Sequence, residues 1–439
     1  MARIAVAGLW HLGCVVAAGL ASLGHRVRAT DPDAAVVTRL QQGRMPVYEP
    51  GLSEAVAEQA GEGRLTFVPT AAEAFAGVES VFVTFDTPVG DADQSDLTPV
   101  EQAFEGVGRD AVGEVELILM SQVPVGTCRR LAGKLHEQAP GLRFSLVYQP
   151  ENLRLGEALK TFLRPDFIVL GVEDRSAAEK LLRIYAGIQA PHLTMSWESA
   201  EMTKHALNAY LATSVSFINE LAELAEAARA DIRDVVRAMR LDRRIGPHAF
   251  LNPGLGFSGG TLARDLETLR QLSATIGRET PLLDGVRAVN TGQVKKVAEK
   301  IREFSGTLRG ARVGLLGLTY KPGTSTLRRS AALALAQLLV EQGTEVQAHD
   351  PQVVEPSGET DGIHLCPDPY QVAHGADAVV LTTPWPEFKK LDFSRLQEGM
   401  RQAILIDPHN FLDEQAVCRA GLHYIGIGRP QSVGSGAMR

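Results

Sequence analysis

The chain has 439 residues, 45% hydrophobic and 22% charged, the profile of an ordinary soluble globular protein with about three domains. A net charge of −8 excludes nucleic acid or an anionic membrane as the main partner, and no uninterrupted apolar run has transmembrane length. Cys14, Cys128, Cys366 and Cys418 lack CxxC spacing and read as isolated thiols, so neither a disulfide frame nor a metal site is expected and the cytoplasm is the predicted location.

Arg3 to Ala7 reads as a short buried strand and Gly8-Leu9-Trp10-His11-Leu12-Gly13 as a tight turn. A helix follows to about Leu23, and Arg26 to Thr30 forms a second strand ending at Asp31. The apolar N-terminus resembles a signal peptide, but Gly8, Trp10, His11 and Gly13 interrupt it, which favours strand–turn–helix. This is a dinucleotide-binding βαβ pattern: a phosphate at the helix start and an acid for the ribose hydroxyls, which favours NAD over NADP. Trp10 fills the middle glycine position of G-x-G-x-x-G, where its bulk is expected to crowd the pyrophosphate. Strands at Ser80–Thr84, Leu117–Met120 and Phe144–Tyr148 end in Asp86-Thr87-Pro88, Ser121-Gln122-Val123-Pro124 and Gln149-Pro150-Glu151. Polar, proline-bearing ends of this kind belong to the carboxyl edge of a parallel sheet, where ligands bind. The acidic run Asp91 to Asp96 reads as a solvated loop in preference to a metal site.

The longest helical pattern runs from Trp197 to about Arg229, with an apolar stripe of Leu207, Leu211, Ser214, Ile218, Leu221 and Ala225. Such a helix can span two domains or form a dimer core. Lys204 and Asn208 share one of its faces, either a solvated surface or the lining of a cleft. Asn252 to Asp265 is glycine-rich and without period, a flexible turn fit to hold a ligand, and an apolar-periodic helix starts beside it at Leu262. Thr261 sits between them as an expected N-cap. After a linker at Ser305–Gly310 the opening of the chain repeats. Ala311 to Gly317 resembles Ala2 to Gly8, and Gly343 to Asp350 resembles Gly24 to Asp31. The second copy carries Tyr320-Lys321-Pro322 and Arg328-Arg329 in its first βα turn, basic groups suited to a phosphate or nucleotide other than a second NAD. With NAD on the first lobe, hydride transfer needs a base, for which Lys204 and Asp265 are candidates, and Asn208 is placed to hold a developing oxyanion.

These stretches, in this order, resemble the UDP-glucose/GDP-mannose dehydrogenase family, whose members oxidise a nucleotide sugar to a uronic acid with two NAD. The matches are Gly8–Gly13 with Asp31, Tyr48-Glu49-Pro50-Gly51-Leu52, Thr87-Pro88, Val123 to Thr127, and Pro150-Glu151-Asn152-Leu153-Arg154. They continue through Glu201 to Asn208, Arg244-Ile245-Gly246, the glycine loop, Gly317 to Pro322 and Arg328. The resemblance implies an α/β fold: two Rossmann-like parallel-sheet domains joined by a long central helix in a helical dimerisation domain. The expected divisions are 1–196 for NAD, 197–304 for the helical middle and 305–439 for the UDP-sugar. It implies NAD contacts from Gly8, Trp10, His11, Leu12, Gly13, Asp31, Thr87, Pro88, Gln122 and Glu151. Substrate contacts are expected from Glu151, Leu153, Arg154, Lys204, Asn208, Phe257, Gly259, Lys321 and Arg328, with Arg244 reaching a neighbouring subunit's substrate. A homodimer acting on a UDP-hexose follows, with no nucleic acid or membrane partner.

The departures are selective. The family loop reads roughly G-F-G-G-S-C-F-P-K-D, and its cysteine captures the intermediate aldehyde as a thiohemiacetal that is oxidised to a thioester and hydrolysed. Thr261 stands at that position, and no cysteine lies between Cys128 and Cys366. A threonine hydroxyl needs a strong adjacent base to act as a nucleophile. Leu155 replaces the glutamate assigned to hydrolysis, Gln122 a threonine, and Arg264 a lysine, whereas Lys204, Asn208 and Asp265 remain. The leading expectation is an NAD-dependent oxidoreductase of a nucleotide sugar that bypasses the cysteine route. The alternatives are a full four-electron UDP-glucose 6-dehydrogenase giving UDP-glucuronate, with Thr261 as a poor nucleophile, and a nucleotide-sugar binding protein without turnover.

Overall fold

A computed structural model of the chain describes residues 1–87 and 95–430. Pro88 and the acidic stretch Asp91–Gln94 lie outside the described residues. The chain divides into two compact units, Met1–Leu207 with Glu267–Leu272, and Asn208–Leu266 with Ser273–Arg439.

In the first unit the strands are β1 (Arg3–Ala7), β2 (Arg26–Thr30), β3 (Leu65–Phe67), β4 (Ser80–Val83), β5 (Glu114–Leu119), β6 (Arg143–Tyr148), β7 (Ile168–Gly171) and β8 (His192–Met195). They form one sheet in the order β3-β2-β1-β4-β5-β6-β7-β8, parallel except where Tyr148 of β6 pairs with Gly171 of β7. Parallel neighbours require crossovers, and helices therefore cover both faces. The pleat sorts β1 accordingly. Ile4 and Val6 join Val15, Leu20 and Phe162 in one core, while Ala5 and Ala7 join Val81, Leu117 and Leu131 in the other. The N-terminal apolar segment is thus a central strand followed by the helix His11–Ser22.

In the second unit, β9 (Arg312–Leu316), β10 (Glu345–His349), β11 (Ile363–Leu365), β12 (Ala378–Leu381), β13 (Ile404–Asp407) and β14 (His423–Gly426) make an all-parallel sheet. Its order, β11-β10-β9-β12-β13-β14, reproduces the order β3-β2-β1-β4-β5-β6. The repetition extends to single hydrogen bonds. Thr84 donates to the Ala7 and Gly8 carbonyls, and Thr382 donates to those of Leu316 and Gly317.

The helix Trp197–Ala227 runs from the first unit into the second. There Ile218, Ala222 and Ala225 share one core with Ile232, Val297 and Ile301, with Leu335 of the helix Ala331–Glu341, and with Leu315 and Ile406 of the sheet. Only part of the expected apolar stripe is inward: Ile218 and Ala225 are buried, but Leu207 is 36% exposed. A second apolar row, Tyr210, Phe217 and Leu224, faces outward. Among the described residues no helix is long and apolar enough to cross a membrane.

Candidate active site

The first βα turn meets the requirements of a phosphate cradle. A Cβ on Gly13 would lie 1.7 Å from the Gly8 carbonyl oxygen, so only glycine lets the helix start press against the strand end. Trp10 holds the N-cap position without a side-chain bond, and no acid occupies the first helical turn, so the amino end keeps backbone donors for an anion. Trp10, expected to crowd the pyrophosphate, is 47% exposed at this helix start. Asp31 Oδ2 accepts from the Leu9 amide at 2.7 Å and Oδ1 from the Asp33 amide at 3.0 Å, while the residue stays half-buried. Thr87 Oγ1 donates to the Gln122 carbonyl at 2.9 Å, joining the ends of β4 and β5. His11 Nε2 donates to Glu49 Oε2 at 2.8 Å, and the Gly156 and Ala158 amides donate to the same carboxylate. Burial pushes the Glu49 carboxyl up, but the His11 and amide hydrogen bonds outweigh it and hold it below its usual range.

Lys204 and Asn208 are 4% and 9% exposed, so the solvated-face reading of this pair is wrong. Within the first unit Lys204 Nζ donates to the Glu151 carbonyl and lies 3.3 Å from Glu151 Oε1. Glu151 Oε2 accepts from the Leu153 amide at 2.7 Å, closing a turn in the loop after β6. Arg154 leaves that loop for Asp166, 2.9 Å away at the surface. Glu201, one turn before Lys204, is fully buried and accepts from the Gly126 and Cys128 amides at 2.6 and 2.8 Å. It thereby caps the helix Thr127–Gln138 and fixes the register of the lysine-bearing helix.

In the second unit Asn208 Nδ2 donates to Asp265 Oδ2, and Asp265 is fully buried. A carboxylate oxygen faces the amide nitrogen, so the amide orientation is fixed and one N–H remains for a ligand oxygen. The glycine loop is braced, contrary to the expectation of a flexible turn. Asn219 Oδ1 accepts from the Gly254 amide at 2.8 Å, Gln293 donates to the Gly254 carbonyl at 2.9 Å, and Asn290 Oδ1 accepts from the Phe257 amide at 2.7 Å. Gly256 has φ +91°, and a Cβ there would strike Asn290 Oδ1 at 2.4 Å. The Gly259 amide donates to the Arg329 carbonyl at 2.9 Å. Thr261 is not the N-cap: Gly260 occupies that position, with no side-chain cap bond, and Thr261 is the exposed first residue of the helix Thr261–Thr275. Asn219, Asn290 and Gln293 went unread in the sequence. Their only signal there is a polar residue on an apolar helical stretch.

The acid of the second lobe differs from its counterpart. Asp350 is 1% exposed, and its Oδ2 accepts from the Leu318 and Thr319 amides, the Thr319 hydroxyl and Trp385 Nε1 at 2.7–3.1 Å. Its Oδ1 takes the Gln352 amide at 2.9 Å. A sealed acid of this kind cannot grip ribose hydroxyls, so the second lobe does not bind a dinucleotide as the first does. Lys321 Nζ lies 5.7 Å over the Tyr320 ring, beside Gly259, and Arg328 is exposed in the same βα connection. Arg244 joins none of these groups: it pairs with Asp242 two residues away and its side chain is 89% exposed.

A doubly wound sheet with an open helix start at its first turn and an acid closing its second strand defines a dinucleotide-binding protein. Residues 2–189 match the NAD binding domain of the UDP-glucose/GDP-mannose dehydrogenase family, residues 198–292 its central domain and residues 314–414 its UDP binding domain. The chain belongs to this family and is an NAD-dependent nucleotide-sugar dehydrogenase. It is 36% identical to UDP-glucose 6-dehydrogenase of Pseudomonas aeruginosa and 35% identical to that of Rhizobium meliloti, over 98% of this chain and at least 98% of theirs. A UDP-glucose dehydrogenase structure from Pyrobaculum islandicum superposes with TM-score 0.91 at 35% identity over 98% of both chains. A UDP-D-ManNAc dehydrogenase structure from Pyrococcus horikoshii does so with TM-score 0.86 at 26% identity, covering 98% of this chain and 100% of its own. The glycine cradle, the uncapped helix start and half-buried Asp31 fit NAD.

Proposed function

We propose that this enzyme oxidises a UDP-linked hexose with NAD and does so without a cysteine adduct. The observation that carries the reading is Thr261 at the loop–helix junction where the family resemblance expects the attacking thiol. The three buried thiols are poor substitutes for it. Cys14 and Cys128 are buried, and desolvation raises their thiols, Cys14 to about 12 with Asp31 adding to the shift. Burial raises Cys366 likewise, and Cys418 sits on the short helix Glu414–Arg419, away from the glycine loop in sequence. Bound NAD supplies the hydride acceptor. Lys204, entering the step as the neutral amine, takes the proton of the reacting hydroxyl and becomes the ammonium as the hydride leaves the carbon, and Asn208, oriented by Asp265, donates to the oxygen as it becomes a carbonyl. The reaction stops at the aldehyde or passes to the acid through the aldehyde hydrate.

Counting NADH per sugar consumed across a panel of UDP- and GDP-sugars tests this. About one NADH per UDP-hexose, or about two with no protein adduct by mass spectrometry, is the expected result. Thr261→Ala is expected to keep kcat within about threefold, because it removes no group from the chemistry. A covalent sugar adduct with two NADH overturns the proposal. The relatives at 30% identity and above, which carry the name UDP-glucose 6-dehydrogenase, favour a second reading: the complete four-electron reaction with Thr261 as a weak nucleophile. Thr261→Cys then raises turnover sharply.

The same reading includes a homodimer. Tyr210, Phe217 and Leu224 are 69%, 50% and 61% exposed at seven-residue spacing, a row that a second copy of the helix would cover. Replacing Tyr210 and Phe217 together by Asp is expected to convert a dimer into a monomer in light scattering at micromolar concentration. Arg244, held out by Asp242, is then free to reach the other copy's substrate.

A further inference from the structure

Three donors from two separate stretches of the first unit converge on Glu49, whose side chain has no exposed surface. His11 Nε2 and the Gly156 amide donate to Oε2, and the Ala158 amide to Oε1, each at 2.8 Å. His11 is the first residue of the helix that follows the glycine turn, whose uncapped start suits the cofactor phosphates. Gly156 and Ala158 close the loop that begins at Glu151, where Lys204 and Leu153 are fastened. The helix Ala158–Leu163 gets no cap from its own Glu157 side chain, so Glu49 supplies the acceptor for the amide at its start.

We propose that His11 and Glu49 are positioning residues that couple occupancy of the dinucleotide turn to order in the loop 151–158, so that cofactor and nucleotide sugar tighten one another's binding. A planar, buried carboxylate with its oxygens taken by donors cannot shift toward one partner without loosening the others. A displacement of His11 when an anion fills the helix start is therefore felt at Gly156. The coupling is reciprocal, and its expected size is about tenfold in affinity. It rests on the NAD site and on the assignment of Glu151 and Leu153 to the substrate; the fate of the oxidised sugar does not enter.

Hydrogen–deuterium exchange of residues 149–158 in the full chain, with and without saturating NADH, reads the coupling directly. NADH is expected to slow exchange there several-fold in the wild type and to leave it unchanged in His11→Leu. His11→Gln, which keeps a donor toward Glu49, restores most of the effect. Calorimetry with UDP-glucose is expected to give a dissociation constant about tenfold tighter with NADH present in the wild type, and less than about twofold in His11→Leu. Persistence of the NADH effect in His11→Leu, its absence from the wild type, or a lower melting temperature in His11→Leu with the NADH effect intact each overturns the coupling. Failure of UDP-glucose to bind strikes the proposed substrate alone, since the exchange experiment needs no sugar.

Discussion

Lys204→Met is expected to lower kcat by about three orders of magnitude, within the range of a lost general acid–base group. Methionine keeps the length and apolar contacts of the stem, so the buried position on the helix Trp197–Ala227 stays filled while the amine is lost. Loss of the Lys204 bond leaves the Glu151 carbonyl without this donor, and a modest rise in KM for the sugar accompanies the fall in kcat. Lys204→Arg is not expected to rescue, because a guanidinium cannot give up its proton for the cycle. Stopped-flow appearance of NADH, with the folded state checked by circular dichroism, separates the chemical step from binding. A kcat within about tenfold of wild type removes Lys204 from the proton transfer.

Glu116→Gln is expected to stabilise the first unit by about 3 kcal/mol at pH 8 and by only about 1 kcal/mol at pH 5. Glu116 lies on β5 at 4% exposure; among the described residues its Oε2 meets only the Ser80 hydroxyl, at 3.5 Å, and its Oε1 has no hydrogen-bond partner. Burial pushes its carboxyl up to about 7, and the Lys180 charge, the Ser80 bond and the Arg183 charge offset only part of that. The folded chain therefore holds this proton more tightly than the unfolded chain. The resulting stability is fully present below the ordinary carboxyl pKa and is lost as pH rises through about 7. Glutamine keeps the shape without the charge. Thermal melts at the two pH values measure the difference, expected to be roughly 5–10 °C at pH 8. Equal shifts at both pH values would mean that packing, not the buried charge, explains the effect.

Much of the fold could be read in the sequence because local rules encode it. The continuous apolar run Arg3–Ala7, the glycine turn and Asp31 at the end of β2 are a spacing pattern, and β9 to Asp350 repeats it. The boundaries of the long helix follow from its period. The helix-face argument left Lys204 and Asn208 undecided, since whether a polar face is wet depends on what packs against it. The glycine loop misled for the same reason: glycines signal freedom in a chain, but here Asn219, Asn290 and Gln293 hold them.

The sequence by itself determined the inventory: two βαβ frames, an acid at the end of the second strand of each, and the order of Lys204, Asn208, Thr261 and Asp265 along the chain. Only the tertiary structure decided what each group is bonded to. Asp31 and Asp350 occupy equivalent strand ends, yet one stays half-open and the other is sealed by Thr319 and Trp385. Glu49 meets His11 across 38 residues and Ala158 across 109. Hydrogen bonds at such separations leave no period in the chain, because they are made between ends of different strands and helices that meet only when the sheet is assembled.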